Sequence, residues 1–88
     1  MELKIALVGI MVEDLNASVQ VNALLHDIAD KVLCRMGFPY RDYDVYLISV
    51  ILHATSDEIN ALAGKLDSLP GVSVKTMITT STQTSDTG

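Results

Sequence analysis

Two strongly apolar runs of strand character, two further short runs, and two intervening segments of helical period predict an α+β fold. Taken in chain order they read strand, helix, strand, strand, helix, strand. The chain has 88 residues, of which 49% are hydrophobic. That is one domain with a modest core, and more apolar surface than so small a core readily absorbs.

Leu3–Val12 (LKIALVGIMV) is the first strand. Both alternating sets are apolar: Leu3, Ile5, Leu7 and Met11 on one side, Ala6, Val8, Ile10 and Val12 on the other. Such a strand expects dry surroundings on both faces. The next segment, Glu13 to Val32, carries Val21, Leu24, Leu25, Ile28 and Val32 at helical spacing. Asp14 or Asn16 is placed to cap that helix by accepting a free backbone N–H. VLCRMGFP, residues 32–39, then reads as a short strand ended by Gly37 and Pro39, with Tyr40–Tyr43 as a polar turn.

Asp44–Ala54 is the second strand apolar on both sides. Thr55 and Glu58 match a capping box, in which the hydroxyl takes the N–H three residues on and the carboxylate reaches back. Ile59, Leu62, Ala63, Leu66 and Leu69 make the buried stripe of the helix that follows. Gly64, unfavourable in a helix interior, is expected to serve close packing. Pro70 and Gly71 stop the helix, and residues 72–79 form the last strand. The domain is placed at residues 1–80, with 81–88 as a loose polar tail.

This order is the ferredoxin-like split βαβ, a βαββαβ sandwich with antiparallel sheet order 4-1-3-2 and both helices on one face. Strands 1 and 3 are then central, and they are the two whose faces are both apolar. Two helices cover one face only. The simplest cover for the other is a second copy of the sheet, so a homo-oligomer, dimer or tetramer, is expected.

Charge and motifs exclude more than they assign. Net charge is −5, and the six Lys and Arg residues are scattered. No basic face for phosphates forms, so direct nucleic-acid binding is not expected. No apolar run is long enough to span a bilayer, no signal peptide is expected at the start, and one cysteine allows no internal disulfide framework. A cytoplasmic location is the simplest expectation. His26, Cys34 and His53 each stand alone rather than at zinc-ligand spacing, so no metal or cofactor is expected, short of a site shared between subunits. Paired carboxylates occur only at helix starts, where capping accounts for them, and no activated nucleophile is evident, so catalysis is not expected. Tyr40, Tyr43 and Tyr46 read as turn and interface anchors, since no basic residues interleave them for base stacking. Gly9 reads first as close packing or a bulge. Its second reading is room for a small ligand beside the first helix, where N–H groups near Asn16 to Val19 would hold a carboxylate or phosphate. Gly9, Asp14, Asn16 and Ser18 are the candidate ligand residues on that reading.

VGIMVE, VNALLHD, RMGFP and TSDEINALAGKLDSLPGVSVK together resemble the small proteins named as regulators of the iron-only hydrogenase system. The resemblance runs from about Lys4 to Thr79. It implies a ferredoxin-like fold of the ACT type, related to the C-terminal domain of the nickel-responsive repressor, and a regulatory link to hydrogenase maturation. Two departures limit what carries over. The third strand offers only His53 where the repressor's ligand set includes two histidines one residue apart, and EDLNAS lacks the glycine usual in the amino-acid-binding loop of ACT domains. The expectation is a non-catalytic regulatory or sensor module that acts as an oligomer through a small ligand or a protein partner. A metal sensor with an intersubunit site and a purely structural oligomerisation module are the alternatives.

Overall fold

The structure, a computed structural model, describes residues 2–79. Its strands are β1 (Leu3–Val12), β2 (Val32–Tyr40), β3 (Val45–Thr55) and β4 (Val72–Ile78). Its helices are α1 (Ser18–Asp27) and α2 (Ser56–Asp67). The four strands form one antiparallel sheet in the order β2-β3-β1-β4, which is β4-β1-β3-β2 from the opposite edge. The expected tail at 81–88 lies outside the described residues.

β1 and β3 pair without a slip from Leu3 opposite Thr55 to Val12 opposite Tyr46. The pleat sends successive side chains to opposite faces. Ala6, Val8, Ile10 and Val12 therefore share a face with Ile48, Val50, Leu52 and Ala54, and all are buried. Val21 and Leu25 of α1 and Ile59, Leu62 and Leu66 of α2 complete that core. The other set of β1 remains uncovered: Leu3 and Ile5 are each 48% exposed, Leu7 and Met11 about as much.

The start of α1 departs from expectation. Asp14 caps a separate 3-10 turn, Leu15–Ala17, by accepting from the Asn16 N–H at 3.0 Å, and Ala17 precedes α1 with no side-chain cap. Asn16 caps nothing, and the helix ends at Asp27, short of Val32, which opens β2. β2 also continues through Gly37 and Pro39 to Tyr40 instead of stopping there. It is an edge strand, so proline's missing N–H costs no ladder bond on the outer side. Gly37 has a packing reason: a Cβ there would lie 2.6 Å from the Tyr46 hydroxyl, so only glycine lets that ring cross β2.

The capping box of α2 is formed as read. The Glu58 N–H donates to Thr55 Oγ1 at 3.2 Å, and Glu58 Oε1 accepts from the Thr55 N–H at 2.9 Å. Past the helix, Gly71 has φ +74°, a region side chains disfavour. A Cβ there would also meet that of Asp14 at 2.5 Å. The Gly71 carbonyl accepts from the Glu13 N–H at 2.7 Å, so this glycine joins the end of β1 to the start of β4.

Gly64 contradicts the close-packing expectation, because a Cβ at that position would meet nothing within 4 Å. Gly64→Ala should therefore stabilise the chain by about 0.5–1 kcal/mol, read as a higher urea midpoint. Leu62→Ala, which empties a buried contact on the same helix, should cost about 2–5 kcal/mol in the same measurement. A loss below about 0.5 kcal/mol would place Leu62 on the surface instead.

Candidate functional site

The side of the sheet away from the helices is the most distinctive surface of the molecule. The strand registers set it out in rows. Phe38, Leu47, Met11 and Ser73 form one row; Met36, Ser49, Gly9 and Lys75 the next; Cys34, Ile51, Leu7 and Met77 the third. Apart from Lys75 and the two serines, the rows are apolar or sulfur-bearing. No Asp or Glu lies in any of the four strands. The net negative charge thus resides on the helices and connections.

The middle row is the low point. Gly9 and Ser49 face each other across β1 and β3, and their small side chains leave a depression of about 570 Å³. Met11, Met36, Phe38 and Leu47 wall it, with Ser73 and Lys75 on the β4 side. Beyond its β2 edge, Phe38 stacks on Tyr40 (ring centroids 5.8 Å apart) and Tyr40 on Tyr43 (5.1 Å). The tyrosine cluster of the sequence is thus split. Tyr40 and Tyr43 continue an aromatic row, whereas Tyr46 packs against the core cluster on the helix side. The alternation of β1 and β3 announced an apolar second face; Ser49 opposite Gly9 is a consequence of register and was missed.

The four candidate ligand residues do not form one site. Gly9 opens into the sheet-face depression. Ser18 lines a different hollow, of about 340 Å³, with Tyr40, Arg41 and Tyr46. Asp14 and Asn16 are engaged with each other in the 3-10 turn. Of the amides from Asn16 to Val19, three have partners within the chain: Asn16 N–H bonds Asp14 Oδ1, Ala17 N–H the Asp14 carbonyl at 2.9 Å, and Ser18 N–H the Leu15 carbonyl. Asp14 caps the turn with its carboxylate and its carbonyl, which take two of these amides. Nor are the three isolated metal-ligand types brought together within one chain. Cys34 and His53 belong to the open face, whereas His26 is on α1, in a hollow that includes Arg35. Among the described residues no three His, Cys, Asp or Glu side chains are grouped to hold an ion. Arg35 bonds Asn22 Oδ1 of α1, whereas Cys34 belongs to the opposite face of β2.

Comparison with known proteins follows the same outline. The TM1266-like family model, described as an iron-only hydrogenase system regulator, matches residues 4–76. The structure of the uncharacterized protein TM1266 from Thermotoga maritima superimposes with a TM-score of 0.84 at 37% identity, over 88% of this chain and 98% of that one. The C-terminal domain of the MgtC protein from Mycobacterium tuberculosis matches with a TM-score of 0.69 at 19% identity, over 94% and 95%. A formyltetrahydrofolate deformylase from Pseudomonas putida KT2440 gives 0.61 at 15%, over 83% of this chain and 28% of its own. The last two similarities concern the fold alone. No curated protein sequence matches the chain. Among the described residues no helix is long and apolar enough to cross a membrane.

One charged hollow lies on the helix side, and its chemistry is structural. Lys31 Nζ sits 3.0 Å from Glu58 Oε2, tying the entry of β2 to the first turn of α2. The Thr55 backbone N–H, then Lys31, hold the Glu58 carboxyl below the ordinary range; the bond from Glu58 in turn raises the Lys31 ammonium. A lowered carboxyl favours the folded chain above its unfolded pKa and ceases to do so as pH falls through the folded value. The Lys31 contribution is complete below its unfolded pKa and is lost only as pH rises through its raised value. Between about pH 6 and about pH 3 the wild type should lose denaturant resistance, and Glu58→Gln should show a smaller loss over that interval. Equal pH slopes for the two proteins would show that Glu58 is not held in this way.

Proposed function

The chain belongs to the TM1266-like family, and from that premise we propose that it is a non-catalytic regulatory module of an iron-only hydrogenase system, working in the cytoplasm as a homo-oligomer. The observation that carries this reading is the open sheet face: a broad apolar surface without an acidic residue, opposite a complete core. Connectivity and sheet order support a ferredoxin-like scaffold of ACT type in this reading, one that offers a surface for assembly. Regulation through such a module is a matter of which state of the assembly a ligand or partner protein binds better.

A small ligand has two places in this reading. One is the depression at Gly9, whose walls are apolar and whose β4 side carries Lys75. The other is the hollow at Ser18, with Arg41 and Tyr40 beside it. Asp14 and Asn16 hold the turn that leads into the helix bearing Ser18 and contribute through its shape. A ligand at either place would stabilise the folded chain by mass action, so a melting screen of amino acids and nucleotides identifies it. Metal analysis of purified protein separates this reading from a metal sensor.

Aspartate at adjacent positions of β3 tests the face directly. Ile48 is 3% exposed and faces the helices, whereas Leu47 belongs to the open face. Ile48→Asp should unfold the chain, because an unpaired carboxylate enters the core. Leu47→Asp should leave it folded by circular dichroism and reduce it to a smaller species in sedimentation. In cells that make an iron-only hydrogenase, loss of the protein should change hydrogenase activity several-fold, and Leu47→Asp should fail to restore it. Restoration by a monomeric Leu47→Asp protein would show that assembly is not needed for regulation.

A further inference from the structure

Gly9 has no explanation inside the chain. Glycine in a strand interior weakens the strand, and the usual reasons are a positive φ, a bulge or a close neighbour. Gly71 is the described glycine with positive φ, β1 pairs with β3 and β4 with no register shift at Gly9, and a Cβ there would meet only the Lys75 carbonyl, at an ordinary 3.8 Å. The space above Gly9 is therefore not needed by this chain's own packing. It is the floor of the open-face depression.

We propose that the occupant is Met36 of a second copy, in an isologous dimer that packs the two open faces together around β3 and leaves the hollow at Ser18 as the place for a small ligand. This rests on the oligomeric reading above and gives it a geometry. A two-fold axis lying in the contact plane and running along β3 places β2 of one copy over β1 of the other. Met36 and Gly9 share a row, one strand to either side of Ser49. The axis therefore brings Met36 over the partner copy's glycine, twice per dimer. Packed sheets lie about 10 Å apart, and a glycine on one leaves a gap that a long, unbranched side chain on the other can fill. Met36 is 68% exposed.

Charge and area agree. Lys75 lies on β4, two strands from the axis, so it falls beyond the outer edge of the partner copy's β2 and stays at a wet rim. The overlapping strands β2, β3 and β1 have 9, 11 and 10 residues. At about 4.8 Å between strands and about 3.3 Å per residue they form a patch of roughly 14 by 33 Å. Two such patches amount to about 950 Å² counted flat, and side-chain relief raises this past the roughly 1,000 Å² at which specific interfaces begin.

Sedimentation of the full chain at micromolar concentration tests this. The wild type should be a dimer. Gly9→Leu fills the floor, leaves the chain folded by circular dichroism, and should raise the dissociation constant at least roughly a hundredfold, with two overpacked contacts per dimer. Adding Met36→Ala to Gly9→Leu should recover most of that loss. A second pair of variants does not depend on Gly9→Leu folding. Met36→Ala should weaken the dimer at least about tenfold, whereas Met77→Ala, at a side chain 65% exposed on the same face but on β4, should leave it unchanged. A wild-type dimer indifferent to Gly9→Leu, or weakened equally by Met36→Ala and Met77→Ala, would overturn this contact while the oligomeric reading stands. A wild-type monomer would overturn both.

Discussion

The ladder between β1 and β3 is the constraint on which everything else depends. Ten consecutive residues of β1 are paired with β3, and the pairing has no bulge. Because the side-chain period of a strand is two, a slip of one residue would exchange the two faces of one strand relative to the other. The alignment of Val8 with Val50 and of Ile10 with Ile48 puts every one of the smooth, fully buried side chains under the helices. The same alignment puts Gly9 against Ser49 on the far side. Core and depression are two results of a single register.

Two joints hold the helices over that core. At one, Glu58 serves both as the returning half of the α2 capping box and as the partner of Lys31, so the start of α2 and the entry of β2 share one carboxylate. At the other, Gly71 lets β4 turn in beside β1 while its carbonyl takes the Glu13 N–H and its missing side chain makes room for Asp14. Both joints are polar and link segments distant in the sequence. Paired carboxylates stand at both helix starts. At Thr55–Glu58 and at Asp14 the carboxylate is engaged in capping the backbone.

Function is therefore sought on a surface. A four-stranded sheet with helices on one side has an inherent asymmetry: one face is completed by the chain itself and the other depends on something outside it. In this chain the second face is apolar, lacks acids, and has a glycine at its centre that internal packing does not require.

Much of this was legible along the chain, for a physical reason: alternation of period two and stripes of period 3.6 are local, and they name the strands, the helices and the Thr55–Glu58 cap directly. The family resemblance was legible too, in VGIMVE, RMGFP and the long run from Thr55. At three places the folded surroundings decided what the segment alone did not show. Pro39 did not end β2, because the strand lies at an edge and has a ladder on one side only. Gly64 served no close contact, because nothing packs on that side of α2. The amides from Asn16 to Ser18 were not free for a ligand, because Asp14 and Leu15 turn back on them. By itself the sequence determined that the chain has two apolar faces on its central strands, since that is written in alternate residues. Which face the helices cover, and that Gly9, Ser49 and Met36 stand in one row on the other, was decided only by strand register, a property of pairing between residues forty apart across β1 and β3 and thirteen apart across β2 and β3.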